Sequence, residues 1–382
     1  MLFTTPEPDE RELEVLAEVE DLKRRLRHQL REPRRWYGSL RRLSEARQIQ
    51  GSNTIEGYDA RLDDAAAIAA GEEPLDADEE TRRALAGYHE AMTYVLQLAA
   101  DEDFSYSAQL IKSLHFMMTS YDLQNRPGRW RLGDIYVRKE ETGEIVYEGP
   151  DAEQVPSLIE ELMASLNNPV AEDMRLVQAG MAHLNLVMIH PFRDGNGRMA
   201  RCLQSLVLAR SGVLDPVFIS IEEYLGRNTQ QYYDILAKVG AGSWQPSNDA
   251  RPWARFIITA HLRQARTTLT RIRESERLWI NLEALIQRHG FPDRTLPLLF
   301  DAAMGFRVRN ATYRASLEDT WDGQITEQTA SRDLQRLVEA QLLTPRGEKR
   351  GRFYAGGAAL RQARQEIIAS RNPRDDSDPF AD

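Results

Sequence analysis

The chain has almost no cysteine and no long apolar run. Its 382 residues include one cysteine, Cys202, which rules out an internal disulfide framework and is typical of a reducing compartment. No run of about 18 apolar residues occurs, so we predict no membrane-spanning helix. The first six residues lack the basic and apolar segments of a secretory signal. We therefore expect a cytoplasmic protein that has no membrane partner.

Excess positive charge is also missing. The net charge of −10 argues against extensive coating by nucleic acid, although a local basic face stays compatible with it. The absence of an internal repeat excludes a solenoid. The chain contains 42% apolar and 28% charged residues. This composition is typical of a soluble protein with buried hydrophobic cores. The length allows two or three domains.

Helical periodicity dominates the pattern, so the predicted fold class is mainly α. Helices are predicted over 9–32, 37–50, 79–100, 106–119, 172–189, 197–211, 221–240, 251–274 and 279–289. Two short β-prone runs, 135–137 and 145–147, predict one β-hairpin. Cys202 falls within an apolar helical stretch, so we expect a buried structural thiol.

After about residue 275 the pattern changes to helix, strand, basic turn and strand, which is typical of a winged helix-turn-helix. The helix is predicted over 326–341 and the basic wing over 346–352. Between 326 and 352 there are six Lys or Arg and four Asp or Glu, a small excess for binding phosphates. DNA binding, protein contact and dimerisation all stay open for this module.

One segment, 190–201, carries residues suited to binding phosphate. Backbone N–H groups at Gly195, Asn196 and Gly197 can converge on an anion at the start of a helix. Arg198 and Arg201, three residues apart, fall on one helix face and can bind phosphate oxygens. A turn followed by a solvated helix face is the plain alternative.

The same segment contains a base and a candidate metal ligand. His190 is the side chain in reach that can accept a proton near neutral pH. Asp194 can hold a divalent cation against phosphates, or it can cap the following helix. The two roles of Asp194 are compatible. Together with the arginines, these residues predict nucleotide chemistry.

The string His-Pro-Phe-x-Asp-Gly-Asn-Gly-Arg-x-x-Arg at 190–201 matches the active-site motif of the Fic (filamentation induced by cAMP) family. The resemblance implies a Fic-type helical core with a β-hairpin flap. It also implies transfer of AMP from ATP, with Mg²⁺, to a Ser, Thr or Tyr hydroxyl of a target protein. In that reaction His190 is the catalytic residue and Asp194 the Mg²⁺ ligand.

The resemblance extends to the hairpin. Residues 128–131 and the strands after them are similar to the Fic flap, which docks the target as an added strand. Val137 and Arg138 are then the flap residues over the nucleotide. Because such docking uses backbone hydrogen bonds, it predicts no particular target sequence.

Tyr232 and Tyr233 match a paired-tyrosine element near the adenine pocket of the family, although two helical tyrosines are also common in cores. A family position often occupied by Asn is Gly240 in this chain. That departure puts the family's mode of adenine recognition in doubt here.

A second motif lies upstream. Ser52, Glu56 and Gly57 fit the family's inhibitory pattern Ser/Thr-x-x-x-Glu-Gly/Asn, as in class II members. The resemblance implies that Glu56 forms a salt bridge with Arg201 and so occupies the arginine needed by the γ-phosphate. A helix-capping segment is the structural alternative. Activation of water for removal of AMP is an alternative role for the same glutamate, and the sequence leaves it open.

These patterns predict four segments: N-terminal helices with the inhibitory motif (1–75), a catalytic core (76–275), a winged-helix domain (276–371) and a disordered tail (372–382). The leading hypothesis is an autoinhibited protein adenylyltransferase that uses Mg²⁺ and ATP. The alternatives are a DNA-binding regulator whose Fic core senses nucleotide, and another transfer chemistry such as phosphorylation. The intact Gly197 favours AMP transfer. The target is unidentified; automodification and a homodimer are both compatible with the sequence.

Overall fold

We describe the protein from a computed structural model. The structure describes residues 1–31, 34–138, 142–210, 216–318, 324–348, 351–373 and 375–381. Most of these residues are helical, which confirms the mainly α prediction. Across the described ranges, no helix combines the length and apolarity required to cross a lipid bilayer.

The first of three N-terminal helices is fixed to the longest helix of the described chain. Their bounds are α1 Glu10–Leu30, α2 Tyr37–Ile55 and α3 Leu62–Ala69. Asp9 and Glu12 form a capping box at the start of α1. Glu12 also binds Arg251 and Arg255 of the long helix α12 (Arg251–His289) at 2.6 and 2.7 Å, which anchors α1 to that helix.

The middle of the chain forms a helical layer with one hairpin on its edge. Its elements are α4 Glu79–Ala99, α5 Ala108–Thr119, β1 Tyr136–Arg138, β2 Ile145–Glu148, α6 Val155–Asn167, α7 Arg175–Ile189 and α8 Asn196–Ala209. The antiparallel register of β1 and β2 places Val137 opposite Tyr147, which confirms the predicted hairpin. The segment 190–195 joins α7 to α8.

Helix α7 lies between two hydrophobic clusters. Leu184 and Met188 pack into the cluster shared with α1, α2 and α12, whereas Leu186 and Ile189 pack into the cluster of α4, α5, α6 and α8. Because α7 is buried on both faces, the loop that follows it starts from a fixed point. Cys202 is buried in the second cluster, as predicted.

The next elements correct two predicted boundaries. They are α9 Pro216–Ile219, α10 Glu222–Arg227, α11 Thr229–Gly240 and α12 Arg251–His289. The helix predicted over 221–240 is interrupted at Asn228, whose side chain donates to the Tyr224 carbonyl at 2.8 Å. The domain boundary predicted at 275 falls inside α12, because the apolar face continues through Leu278 and Leu282 until Gly290, at φ 66°, ends the helix.

In its described residues, the C-terminal module, residues 296–369, combines four helices with a second hairpin. Its elements are α13 Leu296–Met304, α14 Asn310–Glu318, α15 Glu327–Glu339, β3 Leu343–Arg346, β4 Phe353–Gly356 and α16 Ala358–Ala369. Val308 pairs with Tyr354 of β4 in an isolated antiparallel bridge. The predicted order of helix, strand and strand is present, but residues 349 and 350 of the predicted wing lie outside the described residues. That the module is a winged helix stays a prediction.

The C-terminal tail differs from the expected disorder. Its described residues 375–381 lie against α1 and α12. Asp375 binds Arg266 at 2.8 Å, the Pro379 carbonyl accepts from Arg11 at 2.8 Å, and the Phe380 ring lies under Arg255. The physical reason is complementarity: an acidic tail with one aromatic side chain meets an arginine-rich helix face.

Candidate active site

The loop between α7 and α8 is shaped by local backbone requirements. His190 ends α7 at φ 51°, a left-handed conformation that costs energy for a residue with a Cβ. Gly195, at φ 75°, begins α8 without that cost. Phe192 is buried between them and stacks on the His115 ring at 3.6 Å.

The side chain of Asn196 binds the backbone of the loop, whereas the sequence suggested only that its backbone N–H would bind an anion. Its side-chain amide donates to the Phe192 carbonyl at 3.0 Å and accepts from the Phe192 N–H at 2.9 Å. It therefore holds the loop closed. No side chain caps α8 among the described residues, so the first backbone N–H groups of the helix are available to an anion.

The hydrogen bonding of His190 suits its side chain to act as a general base. Its Nδ1 lies 3.0 Å from the Val187 carbonyl, so Nδ1 carries the proton and Nε2 is left as the acceptor. Burial lowers the pKa of His190, and the hydrogen bond to Val187 and the charge of Glu56 only partly oppose this effect. The imidazole is therefore neutral near pH 7.

Two buried arginines follow the loop. Arg198 donates to the Tyr121 hydroxyl at 3.1 Å and lies over the Tyr58 ring at 5.2 Å. Arg201 donates to Ser52 Oγ and to the Ser52 carbonyl, at 2.8 and 2.9 Å. Within the described part of the chain, Arg198 Nε and Arg201 Nη1 are buried without a hydrogen-bond partner. Such orphaned donors suit an anionic ligand with several oxygens.

Glu56 meets Arg201 directly. The carboxylate oxygen Oε1 lies 2.6 Å from Arg201 Nη2, and Glu56 is the residue at which α2 ends. Burial acts to raise the pKa of Glu56, but the charges of Arg201 and Arg198 and the hydrogen bond from Arg201 hold that pKa below its ordinary value. Glu56 is therefore ionised at neutral pH. The contact expected from the upstream motif is present in the structure.

Gly197 makes room for this ion pair. A Cβ at position 197 would overlap Glu56 Oε1 and lie 3.1 Å from Arg201 Nη1. A larger residue at position 197 would therefore force the Glu56 carboxylate to shift from its place beside Arg201.

Asp194 lies at the open side of the site. Its carboxylate is 45% exposed and lies 3.4 Å from Arg198 Nη2. It borders a cavity of about 500 Å³ that is also lined by Tyr58, Tyr121 and Asp122. No group of three or more His, Cys, Asp or Glu side chains is arranged to hold a metal in the described ranges. A cation at Asp194 would need ligand phosphates to complete its shell, which is how Mg²⁺ is commonly held.

Two positioning residues were missed by the sequence analysis. His115 donates from Nε2 to the Asp194 carbonyl and accepts from the Gly128 N–H, both at 2.9 Å, and burial lowers the pKa of its ring to about 4. Arg131 donates to the His190 carbonyl at 2.9 Å, to the Gly133 carbonyl at 2.7 Å and to Pro150. These contacts fix the hairpin and the loop to each other. The only signal for Arg131 was its place in the flap resemblance.

The structure separates the two tyrosines predicted to be near adenine. Tyr232 is buried and shares a 2.9 Å hydrogen bond with His183 Nε2. Tyr233 is 45% exposed and donates to the Ile55 carbonyl at 2.6 Å. Direct contact with a ligand is therefore open to Tyr233, whereas Tyr232 is a buried residue whose hydroxyl faces Arg201.

The hairpin residues predicted to cover the nucleotide lie on β1. Val137 is partly buried, and Arg138 is exposed and donates to the Gly143 carbonyl at 3.0 Å. Arg138 therefore contacts its own hairpin in this conformation. Among the described residues, no hydrogen bond or ion pair joins either residue to Arg198 or Arg201.

Part of the chain matches a known protein family. The Fic/DOC family matches residues 105–208, which span the start of α5 to the end of α8. The chain therefore carries a Fic domain, and the site built around His190 lies within it. This is the class of protein that the motif indicated.

Two curated relatives are protein adenylyltransferases. The chain is 28% identical over 231 residues to protein adenylyltransferase Fic of Nematostella vectensis, covering 58% of this chain and 49% of the relative. It is 31% identical over 172 residues to protein adenylyltransferase Fic of Aedes aegypti, covering 45% and 31%. The chain spans about half or less of the length of these relatives.

Solved structures share the fold. A Fic family protein from Desulfovibrio desulfuricans G20 superimposes with a TM-score of 0.57 at 21% identity, over 93% of this chain and 98% of that one. Fic-1 of C. elegans, residues 134–508, superimposes with a TM-score of 0.52 at 22% identity, over 69% and 73%. The helical architecture with its hairpin is thus the fold of Fic proteins.

Proposed function

We propose that this protein is a protein adenylyltransferase that uses ATP and is held inactive by Glu56. The observation that carries the proposal is the arrangement around α8. A neutral imidazole with an unprotonated Nε2 ends α7, and two buried arginines with unpartnered donors follow on α8. The charge of Glu56 interacts with all three side chains. This combination supports proton removal and phosphate binding in one site.

In the proposed reaction, the triphosphate lies at the N-terminus of α8 with Arg198 and Arg201 on its oxygens. Asp194 would hold Mg²⁺ against the same phosphates, and the ion would neutralise their charge. His190 Nε2 accepts the proton of the target hydroxyl, whose oxygen attacks the α-phosphorus. A bond forms between that oxygen and phosphorus, and pyrophosphate leaves.

We propose that the target docks along β1. Strand β2 is covered at Glu148, which accepts from the Trp244 N–H and donates to the Gly242 carbonyl, each at 3.0 Å. Among the described residues, β1 pairs with β2 alone, so β1 is the edge that can add a strand. Val137 and Arg138 then lie between the target and the nucleotide.

The inactive state follows from the ion pair between Glu56 and Arg201. A carboxylate 2.6 Å from the guanidinium occupies the position that a terminal phosphate oxygen would take, and its negative charge repels the phosphate. Removal of the carboxylate should free Arg201 without disturbing Ser52.

The test is incubation of the purified protein and its Glu56→Gly variant with ATP labelled at the α or the γ position. We expect α-label on the protein to rise at least about tenfold in the variant, since a buried charged hydrogen bond no longer competes with ATP. Glu102→Gly, on an exposed loop, is the matched control, and Glu56→Gly with His190→Ala should lose the label. Label from γ alone would indicate phosphorylation, and no label in any variant would contradict the proposal.

A second candidate function is DNA binding by the C-terminal module. It is supported by Arg332 and Arg336, which are exposed on one side of α15. Fluorescence anisotropy with duplex DNA over a salt series tests it, because phosphate contacts give a slope of log affinity against log salt. Unchanged anisotropy at low salt would exclude this role.

A further inference from the structure

Residues 307 and 309 of the C-terminal module contact the segment that follows Glu56. Arg307 Nε lies 2.7 Å from Asp63 Oδ2, and the Arg307 backbone N–H donates to Asp63 Oδ1 at 2.8 Å. The same guanidinium binds Asp76. The side chains of Arg307 and Asp63 are only 14% and 16% exposed, so solvent screens this pair less than a surface pair.

Arg309 adds a second attachment beside the first. It donates to the Glu73 carbonyl at 2.9 Å and lies 3.4 Å from the Glu72 carboxylate. The contacted residues all belong to residues 61–76, which we name the α3 unit. Asp64 makes this unit one piece, because its Oδ1 accepts the N–H groups of Leu75 and Asp76, each at 3.1 Å.

The α3 unit is joined to Glu56 through a short, hydrogen-bonded link. The Tyr58 N–H donates to the Asn53 carbonyl at 3.2 Å, and the Gln50 side chain donates to the Ala60 carbonyl at 2.8 Å. These bonds tie the end of α2 to the start of the α3 unit. The α3 unit and the residues around Glu56 are therefore connected by hydrogen bonds as well as by the chain.

On its other side, the contact is coupled to the second hairpin. Val308 exchanges backbone hydrogen bonds with Tyr354 of β4 at 2.9 and 2.8 Å, and Arg307 lies over the Phe353 ring at 5.1 Å. Val308 stands between the two arginines in the sequence, so β4 is hydrogen-bonded to the residue that separates Arg307 from Arg309. Asp301 of α13 also binds Arg42 of α2 at 3.0 Å.

We propose that the C-terminal module locks the inhibitory segment in place, so that displacing β4 and residues 307–309 releases Glu56 from Arg201. This inference rests on the proposed function for its consequence in activity. The lock itself is a structural coupling between two parts of the chain, and it can be measured without any enzymatic assay.

The test is hydrogen exchange of the full-length protein, followed at residues 56–58. We expect Arg307→Ala to increase exchange there about three- to tenfold, since a partly buried ion pair and its neighbours are lost. Asp76→Asn removes one attachment from the α3 unit and leaves the module's sequence intact, so it should give a smaller increase. Arg307→Lys should lie between, because an ammonium cannot bridge both carboxylates as a guanidinium does.

Arg332→Ala, exposed on α15 of the same module, is the matched control and should leave exchange at 56–58 unchanged. Thermal melting identifies a variant that has simply unfolded, and Asp76→Asn then decides the question. Unchanged protection at 56–58 in folded Arg307→Ala and Asp76→Asn would overturn the lock. If exchange rises while Glu56→Gly gives no automodification, the lock stands and the proposed function fails.

Discussion

Glu56 and Arg201 form an ion pair of 2.6 Å at the start of α8, where a Cβ on Gly197 would overlap the carboxylate. The salt bridge and the glycine are therefore matched to each other. The guanidinium is almost fully buried, so the pair acts where water does not weaken it strongly. This relationship links a residue of α2 to the centre of the Fic motif.

A double-mutant cycle can measure the energetic coupling between Gly197 and Glu56. Gly197→Ala should destabilise the protein by about 1–3 kcal/mol, because the new methyl group must displace Glu56 or strain α8. In a Glu56→Gly background the same change should cost clearly less, since the overlapping atom is gone. Urea unfolding of the unsubstituted protein, the two single variants and the double variant gives the cycle. Equal costs in the two backgrounds would show that Gly197 is required for another reason.

The pH dependence of transfer follows from His190. Burial lowers the pKa of His190, so the imidazole stays neutral and able to accept a proton as pH falls through its ordinary value of about 6.5. Activity should be lost only at lower pH, where the ring becomes protonated. Glu56 opposes this lowering, so Glu56→Gly should move the acid limb further down. A single-turnover pH profile with the acid midpoint above 6.5 would contradict this assignment.

Arg131 should fix the flap to the active-site loop. Arg131→Lys replaces a fork that serves three carbonyl groups by a point charge, and we expect a loss of about 2 kcal/mol of unfolding free energy. Amides of β1 and β2 should exchange faster. Arg129→Lys, its exposed neighbour, is the control. Unchanged exchange in the hairpin would mean that other contacts fix it.

The two tyrosines should behave differently. Tyr233→Phe removes the hydrogen bond to the Ile55 carbonyl. Because such a bond contributes about 0.5–1 kcal/mol to stability, we expect hydrogen exchange at residue 56 to increase about two- to fivefold. Tyr232→Phe removes the bond to His183 and should lower stability by about 1 kcal/mol. Its effect on exchange at residue 56 should be smaller than that of Tyr233→Phe, because the Tyr232 hydroxyl reaches Glu56 through Arg201 and makes no hydrogen bond to the Ile55 carbonyl. A common response of both variants would show that they act as one packing unit.

Helical periodicity predicted most of the helices, but it misplaced boundaries that depend on other parts of the chain. The pattern change near 275 suggested a new domain, yet α12 continues to His289 because Leu278, Trp279 and Leu282 pack against neighbouring helices. The expected disorder of the tail followed from composition alone. Composition gives no information about an arginine-rich surface elsewhere in the chain that the tail can contact.

In the candidate site, too, some residues follow from local sequence and others depend on distant parts of the chain. The motif identified His190, Asp194 and the two arginines because their spacing is local and their chemistry is specific. It did not identify His115, whose role depends on a loop 79 residues away. It also could not distinguish Tyr232 from Tyr233, because adjacent helical residues differ in burial only once the helix is packed.

The sequence by itself determined the helical class, the hairpin and which phosphate-binding and proton-accepting residue types lie at 190–201, because these depend on residue types and short-range periodicity. The tertiary structure decided which distant groups meet. Arg201 and Glu56 are 145 residues apart, and Arg307 and Asp63 are 244 apart. Such pairs depend on how α2, α8 and the C-terminal module pack together, and the resemblance to a family could suggest the first pair but not the second.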